Sequence, residues 1–264
     1  MEATTLLAPA QRRLAALMDR AIDTLEALLN DPALSADRRA DVALRLLDMA
    51  TAGAQGRARE AAVATPGLMP ASCFAIPDFL SPTLHAAAVQ TALQVQERFV
   101  ASSVTTGEPG YRRSRVVFED ALPGLYQPMQ QEIMAVLPAV CTVLMMPVFE
   151  PTRIELHMTV HGDGDYFKLH NDTAAPEIAR RAISFVWYFM LRRPCGFSGG
   201  TLRLYETLQT DPPRHDPARF QDVTPADNVM VFFDSRLMHE VLPLHVPSGA
   251  FEDGRFTLNG WLQR

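Results

Sequence analysis

From about residue 153 to the C-terminus, apolar and polar positions alternate in short runs broken by Gly, Pro, Asp and Asn. Side chains of a strand point alternately to its two faces, so a period of two marks strands with unlike faces. The runs 154–160, 182–191, 201–205, 228–233, 240–245 and 256–262 are the expected strands. No helical run separates them, which excludes a doubly wound α/β sheet and points to a sandwich or barrel-like double sheet. Upstream the period changes. Leu14, Leu17, Ala21, Leu25 and Leu28 recur at spacings of three and four, the pattern of one helix face, and Asn30-Asp31-Pro32 ends that stripe. Ser35 fits a helix N-cap with Asp37 in the first turn, Val42, Leu46 and Met49 continue the stripe, and Gly53 fits its stop. Residues 1–65 are therefore expected to form a helical hairpin, joined by a linker of small residues to a main domain over 66–264. In 72–145 the pattern is mixed. An extended run at 73–76, a helix opened by Ser81-Pro82, a strand at 115–118 and a helix at 125–137 are expected to buttress the sheet.

Composition narrows the function classes. With 264 residues, 48% hydrophobic and 20% charged, the chain can bury a sizeable core and is neither disordered nor fibrous. A net charge of −6 offers no cationic surface for general nucleic-acid binding. No apolar run is long enough to span a bilayer, and the N-terminus lacks the basic and apolar regions of a signal peptide. Cys73, Cys141 and Cys195 have no disulfide or zinc spacing and read as free thiols. A cytoplasmic protein with no nucleic-acid or membrane partner is expected, with the N-terminal helices as a candidate homodimer contact. Lys168 is the only lysine, so any carboxylate that needs a cation must take an arginine.

The candidate chemistry begins at Tyr166-Phe167-Lys168-Leu169-His170-Asn171-Asp172. His170 and Asp172 are two apart, which on an extended strand sets an imidazole beside a carboxylate. His239 follows one expected strand and opens the next. Two histidines and one carboxylate on a β scaffold make a facial triad, which holds iron on one side and leaves positions for ligands on the other. The remaining histidines (His85, His157, His215, His245) read as solvent-facing or hydrogen-bonded rings, and His161 is placed to reach the mouth of the site.

In this order, residues 153–264 resemble the catalytic double-stranded β-helix of Fe(II)- and 2-oxoglutarate-dependent dioxygenases, in their prolyl 4-hydroxylase-like branch. The resemblance rests on the approach His161-Gly162-Asp163-Gly164-Asp165, His170-x-Asp172, Ser198-Gly199-Gly200-Thr201, Pro225-Ala226-Asp227-Asn228, His239-Glu240-Val241 and Arg255-Phe256-Thr257. With the helices read upstream, it implies an α+β fold with a mainly β core, a jelly-roll with buttressing helices, to which the N-terminal hairpin is appended. It also implies Fe(II) held by His170, Asp172 and His239, with 2-oxoglutarate and O2 as cosubstrates and ascorbate as a reductant in vitro. Arg255 falls where the family binds the distal carboxylate of 2-oxoglutarate, a match for the two parallel donors of a guanidinium. The spacing from His239 to Arg255 exceeds the family's by a turn-rich insertion at 247–254.

Resemblance to the hypoxia-factor prolyl hydroxylases adds Tyr188 as a donor to the same carboxylate. A tyrosine of those enzymes that contacts the cosubstrate falls at Val160 here, which leaves its hydrogen bond absent or supplied by Thr257 or Ser184. Thr257 fits carboxylate contact and an outward strand position equally. Family halogenases lack the carboxylate of the triad, so with Asp172 present the resemblance implies hydroxylation of a C–H bond over halogenation, with decarboxylation of 2-oxoglutarate to succinate and CO2; desaturation and ring closure stay open because they depend on substrate pose. Phe185, Trp187, Phe189 and Phe232 read mainly as core. The substrate is expected to be an amino acid, a peptide or a small natural product. Arg113 or Arg115, in the turn before strand 115–118, is a candidate contact to an anionic one. Two other readings are a catalytically silent relative that binds iron, 2-oxoglutarate or a partner, and a cupin-like protein using another metal.

Overall fold

The computed structural model describes residues 67–103 and 110–264. The expected hairpin over 1–65 lies outside the described residues. The first elements are β1 (Leu68–Met69), β2 (Cys73–Ile76), α1 (Pro82–Gln94), β3 (Val100–Ala101), β4 (Arg112–Arg113), β5 (Arg115–Phe118) and α2 (Pro123–Val143). Next come β6 (Arg153–His161), β7 (Tyr166–His170), β8 (Arg181–Phe189), β9 (Ser198–Gly199) and β10 (Leu202–Leu208). The last are β11 (Arg214–Val223), β12 (Val229–Asp234), β13 (His239–Val241), β14 (Leu244–His245) and β15 (Arg255–Gln263). The sheets belong to one compact unit, Gly67–Val136 with Phe149–Arg264. Among the described residues, no helix is long and apolar enough to cross a membrane.

A seven-stranded sheet runs β2-β12-β8-β15-β6-β5-β3, and a six-stranded sheet runs β1-β10-β13-β7-β4 with β11 on β10. This is the mainly β, jelly-roll type of architecture expected. Each expected strand from 154 onward is present, the run 240–245 being divided between β13 and β14. Besides the two-residue strands β1, β3, β4 and β9, one long element was hidden. Arg214–Val223, rich in charge and interrupted by Pro217, has the composition of a loop but forms β11. It pairs only with β10, and its residues are mostly exposed. An edge strand that buries neither face needs no alternation, and charge with proline there blocks further pairing.

Helix α1 begins as expected, with Ser81 Oγ accepting from the Leu84 amide and Pro82 at the first position. Its buried residues are Ala88 and Ala92, while Leu93 stays exposed. His85 packs edge-on against Trp187 and binds Asp227 through Nε2 at 3.0 Å, which ties the helix to β8.

The register of the larger sheet sorts its side chains into two layers. Thr257 of β15 lies opposite Thr159 of β6 and Tyr188 of β8, and the pairing continues with Asn259 opposite His157 and Val186. On one face, Leu156, Met158, Ile183, Phe185, Trp187, Phe189, Phe232, Phe256 and Leu258 are all buried. The other face carries His157, Thr159, His161, Ser184, Arg255 and Thr257, and these are buried too. The polar column of β6 and β15 thus faces the space between the sheets. Of the two readings left open for each residue, this sets aside an outward Thr257 and a solvent-facing His157; the His157 ring is the hydrogen-bonded one, paired with Asn259. The apolar face is the one turned away from the second sheet.

A candidate iron and cosubstrate site between the sheets

His170 ends β7, His239 begins β13, and the two residues are directly opposed in the ladder. Their ring centroids are 4.2 Å apart. Asp172 follows two residues after His170, and its amide donates to Ser235 O at 2.9 Å, which holds the loop beside the end of β12. One ligand atom from each of the three residues lies within 4.8 Å of the others. His170 Nδ1 is 2.7 Å from Lys168 O, and His239 Nδ1 is 2.8 Å from Leu237 O. A carbonyl only accepts, so both Nδ1 atoms carry the proton and both Nε2 lone pairs are left free. Those Nε2 atoms are 3.6 and 3.5 Å from the Asp172 carboxylate oxygens.

Electrostatics keeps this donor set ready for a cation. Burial, then the neighbouring His239, pushes His170 down to about 3, so its imidazole is neutral at physiological pH. Burial opposes ionisation of Asp172. Nearby His239 and His170, with hydrogen bonds from Ser184 and Trp261, outweigh it and hold the carboxyl below its ordinary value. Ser184 Oγ donates to Asp172 Oδ2 at 2.6 Å. That serine therefore orients the carboxylate and is not the spare cosubstrate donor proposed as one option from the sequence.

Arg255 opens β15 at 2% exposure. Its Nη2 donates to Tyr188 Oη over a long 3.4 Å, and its Nη1 lies 3.3 Å from His161 Nδ1. Among the described residues no carboxylate pairs with it, and its buried Nε has no partner. Burial lowers its affinity for the proton. His161 is equally enclosed, and burial, then Arg255, holds it well below its ordinary value, so the ring is neutral. Accepting from Arg255 at Nδ1 puts the ring proton on Nε2, and that buried N–H is also unpaired. A buried guanidinium and a buried imidazole N–H with nothing to bind are costly unless an anion completes them. Gly200, at φ +66°, makes room for the arginine: a Cβ there would stand 2.7 Å from Arg255 Cδ and 2.3 Å from Leu244 Cδ1.

These groups border a cavity of about 70 Å³, lined by the triad, Arg112, His161, Ser184, Arg255 and Thr257 among others. Thr257 gives its proton to Asn259 Oδ1 at 2.9 Å, and Asn259 in turn donates to His157 Nε2 at 2.6 Å. Tyr188 does not border the cavity. It belongs to an apolar cluster with Leu202, Leu204, Val231, Phe233 and Leu237, and touches the site through Arg255. A second, larger cavity of about 500 Å³ shares Arg112, Phe167, His170, Asp172 and Trp261 with the first.

The structure brings together His170, Asp172, His239, Arg255 and Thr257, and sets Tyr188 against the arginine. It does not bring Arg113 or Arg115 to either cavity. Arg113 is largely exposed and pairs with Asp165 at 2.9 Å, while the Arg115 guanidinium lies over the Phe251 ring. Arg112, passed over in the sequence, lines both cavities. Strand alternation turns Arg112 in and Arg113 out, but the sequence of so short a strand carries no sign of which side is which. Arg112 is the functional candidate that only the coordinates single out, while His161, expected near the mouth of the site, lies buried beside Arg255.

Residues 156–263 match the family model of the 2OG-Fe(II) oxygenase superfamily. Over 94% of its length, the chain is 32% identical to an uncharacterized PKHD-type hydroxylase of Synechocystis sp., covering 92% of that protein. Two solved structures share the fold. A Pseudomonas putida prolyl-4-hydroxylase is 22% identical, with 73% of this chain and 92% of that one covered at a TM-score of 0.51. A Trichoplax adhaerens prolyl hydroxylase, solved with a hypoxia-inducible-factor peptide, is 15% identical, with 73% and 84% covered at 0.52.

Proposed function

Because this chain belongs to the 2OG-Fe(II) oxygenase superfamily, we propose that His170, Asp172 and His239 hold its iron and Arg255 grips the far carboxylate of 2-oxoglutarate. The observation that carries this reading is the enclosed, unneutralised guanidinium of Arg255 beside that triad. When bound, Fe(II) and 2-oxoglutarate would together activate O2, with decarboxylation to succinate and CO2 and oxidation of a substrate C–H. The chain's own residues set the geometry. Lys168 O and Leu237 O fix the imidazole tautomers, and Ser184 fixes the carboxylate. Tyr188 holds the Arg255 guanidinium, whose ring-to-carbon distance is 4.9 Å, and so acts as a positioning residue. His161 Nε2–H offers the second hydrogen bond to the cosubstrate, in place of the family tyrosine that is Val160 here. With Asp172 present the triad is complete, which favours hydroxylation of an amino acid, peptide or small natural product over halogenation.

The test is succinate release by the purified protein with Fe(II), 2-oxoglutarate and ascorbate, alongside calorimetric binding of 2-oxoglutarate with and without the metal. Iron-dependent turnover and metal-linked binding are expected. Absence of both would overturn the reading. Tight, metal-linked binding with no succinate across a broad substrate panel would instead identify a silent binder.

A further inference from the structure

The larger cavity holds three arginines, and two of them are already answered. Arg181 makes a two-point ion pair with Glu155, at 2.9 and 2.6 Å, and stacks on Trp261 at 3.4 Å. Arg153 lies 3.9 Å from Glu119 at the exposed rim. Arg112 is different. Its Nε donates to Ser114 Oγ at 2.8 Å, one Nη2 proton reaches Thr159 Oγ1 at 3.4 Å, and the guanidinium lies over Phe167 at 4.7 Å. All of these partners are neutral. Among the described residues no carboxylate pairs with it and no hydrogen-bond partner meets Nη1. Burial takes Arg112 down to about 10, with Asp172 acting against that fall and Arg255 adding to it, so the cation feels both ends of the site and remains charged.

Taken with the proposed function, on which this inference rests, the charges in the site leave one over. The two charges of a ferrous ion and the one on Arg255 are matched by Asp172 and a dianionic cosubstrate. The charge on Arg112 has no counterpart. The wall mixes apolar and aromatic side chains, among them Val116, Phe118, Leu156, Phe167, Ile178 and Trp261, with polar ones. Of its carboxylates, Glu119 and Glu155 are taken by Arg153 and Arg181; the volume of about 500 Å³ suits one small molecule. We propose that the substrate is a small monocarboxylic acid with an apolar or aromatic body, its carboxylate received by Arg112. A guanidinium pinned at Nε and Nη2 still offers Nη1, so it can take a carboxylate without surrendering its own supports. The sequence had placed an anion contact in the same turn, at Arg113 or Arg115; the strand register moves it to the neighbouring residue.

The test uses the full-length protein with Mn(II) and saturating 2-oxoglutarate. Thermal stabilisation is measured with matched pairs of probes: benzoate, phenylacetate, N-acetyl-proline and N-acetyl-phenylalanine, each against its primary amide. Acids are expected to stabilise the wild type beyond their amides, with apparent affinities about 10-fold or more tighter, the worth of one charge-assisted hydrogen bond. That preference should vanish in Arg112→Met, persist in part in Arg112→Lys, and be unchanged in Arg113→Met. No acid exceeding its amide in any pair, or an unchanged preference in Arg112→Met, overturns the proposal. So does a loss of 2-oxoglutarate binding in Arg112→Met as large as that in Arg255→Met, which would assign Arg112 to the cosubstrate. Failure of the wild type to bind metal and 2-oxoglutarate at all, measured first by calorimetry, strikes the proposed function instead.

Discussion

The two faces of the larger sheet come from the same strands and are buried to the same degree, yet they do opposite things. On the outer face Trp187 stacks on Phe189 at 4.8 Å, with Phe185, Phe232 and Phe256 beside them, all buried and without unmet polar groups. That layer supplies the stability expected of close-packed aromatic and aliphatic side chains. On the inner face Arg255 Nε and His161 Nε2 are buried and unpaired, and across from them Arg112, on β4 of the facing sheet, lines the same cavity with no carboxylate paired to it among the described residues. Such groups lower the stability of the empty protein. One face is apolar throughout; the other encloses unmet polar groups that the proposed ligands would complete. Burial alone does not define a core.

The comparison is broken most severely at Asp172. Asp172→Asn should cut succinate release by about 1000-fold or more, since the proposed metal site would lose its anionic ligand, while leaving the apo protein's melting temperature within a few degrees. Trp187→Ala should do the reverse: a loss of about 3–5 kcal/mol, or roughly 10 °C in melting temperature. The triad should still bind metal below that temperature. A melting curve for each variant decides the matter, and equal destabilisation by both would erase the distinction between the faces.

Arg255→Met sharpens it further. The KM for 2-oxoglutarate should rise about 100-fold, while the apo protein gains about 1 kcal/mol or more against urea because an unpaired buried cation is gone. Loss of stability in that variant would mean that the guanidinium is structurally satisfied. Protonation gives a fourth handle. His157, enclosed on the inner face, is pushed down to about 3, first by burial and then by Arg112, whereas the unfolded chain takes up that proton near 6.5. As pH falls through 6.5 the unfolded state binds the extra proton, so stability drops by up to about 1.4 kcal/mol per unit until about pH 3. Urea unfolding of apo His157→Gln between pH 6.5 and 4.5 should show that slope reduced by about one proton. The smallest effect is expected at Ser184→Ala, where loss of the hydrogen bond to Asp172 should weaken metal binding about 10-fold by titration.

Much of this was legible in the chain. The spacing of His170 and Asp172 with the later His239 suggested the metal site, and the resemblance to the oxygenase family added Arg255; the structure keeps the His170–Asp172 pairing although Asp172 lies just past the end of β7. The N-cap at Ser81 was readable because capping is local. β11 was not, since an edge strand buries neither face and so carries no pattern. Arg112 was passed over for Arg113 and Arg115, and Thr257 was left between two faces.

What the sequence alone determined is that β6 and β15 have one polar and one apolar side, and which residues sit on each. Alternation has a period but no sign: it separates two faces without saying which meets solvent. Only the tertiary structure decided that, by setting the second sheet, with His170 and His239 on it, over the polar side. That closure turned a column of His, Thr, Arg and Asn from an ordinary wet surface into an enclosed site, because the same groups cost free energy once water is gone and bind ligands in its place.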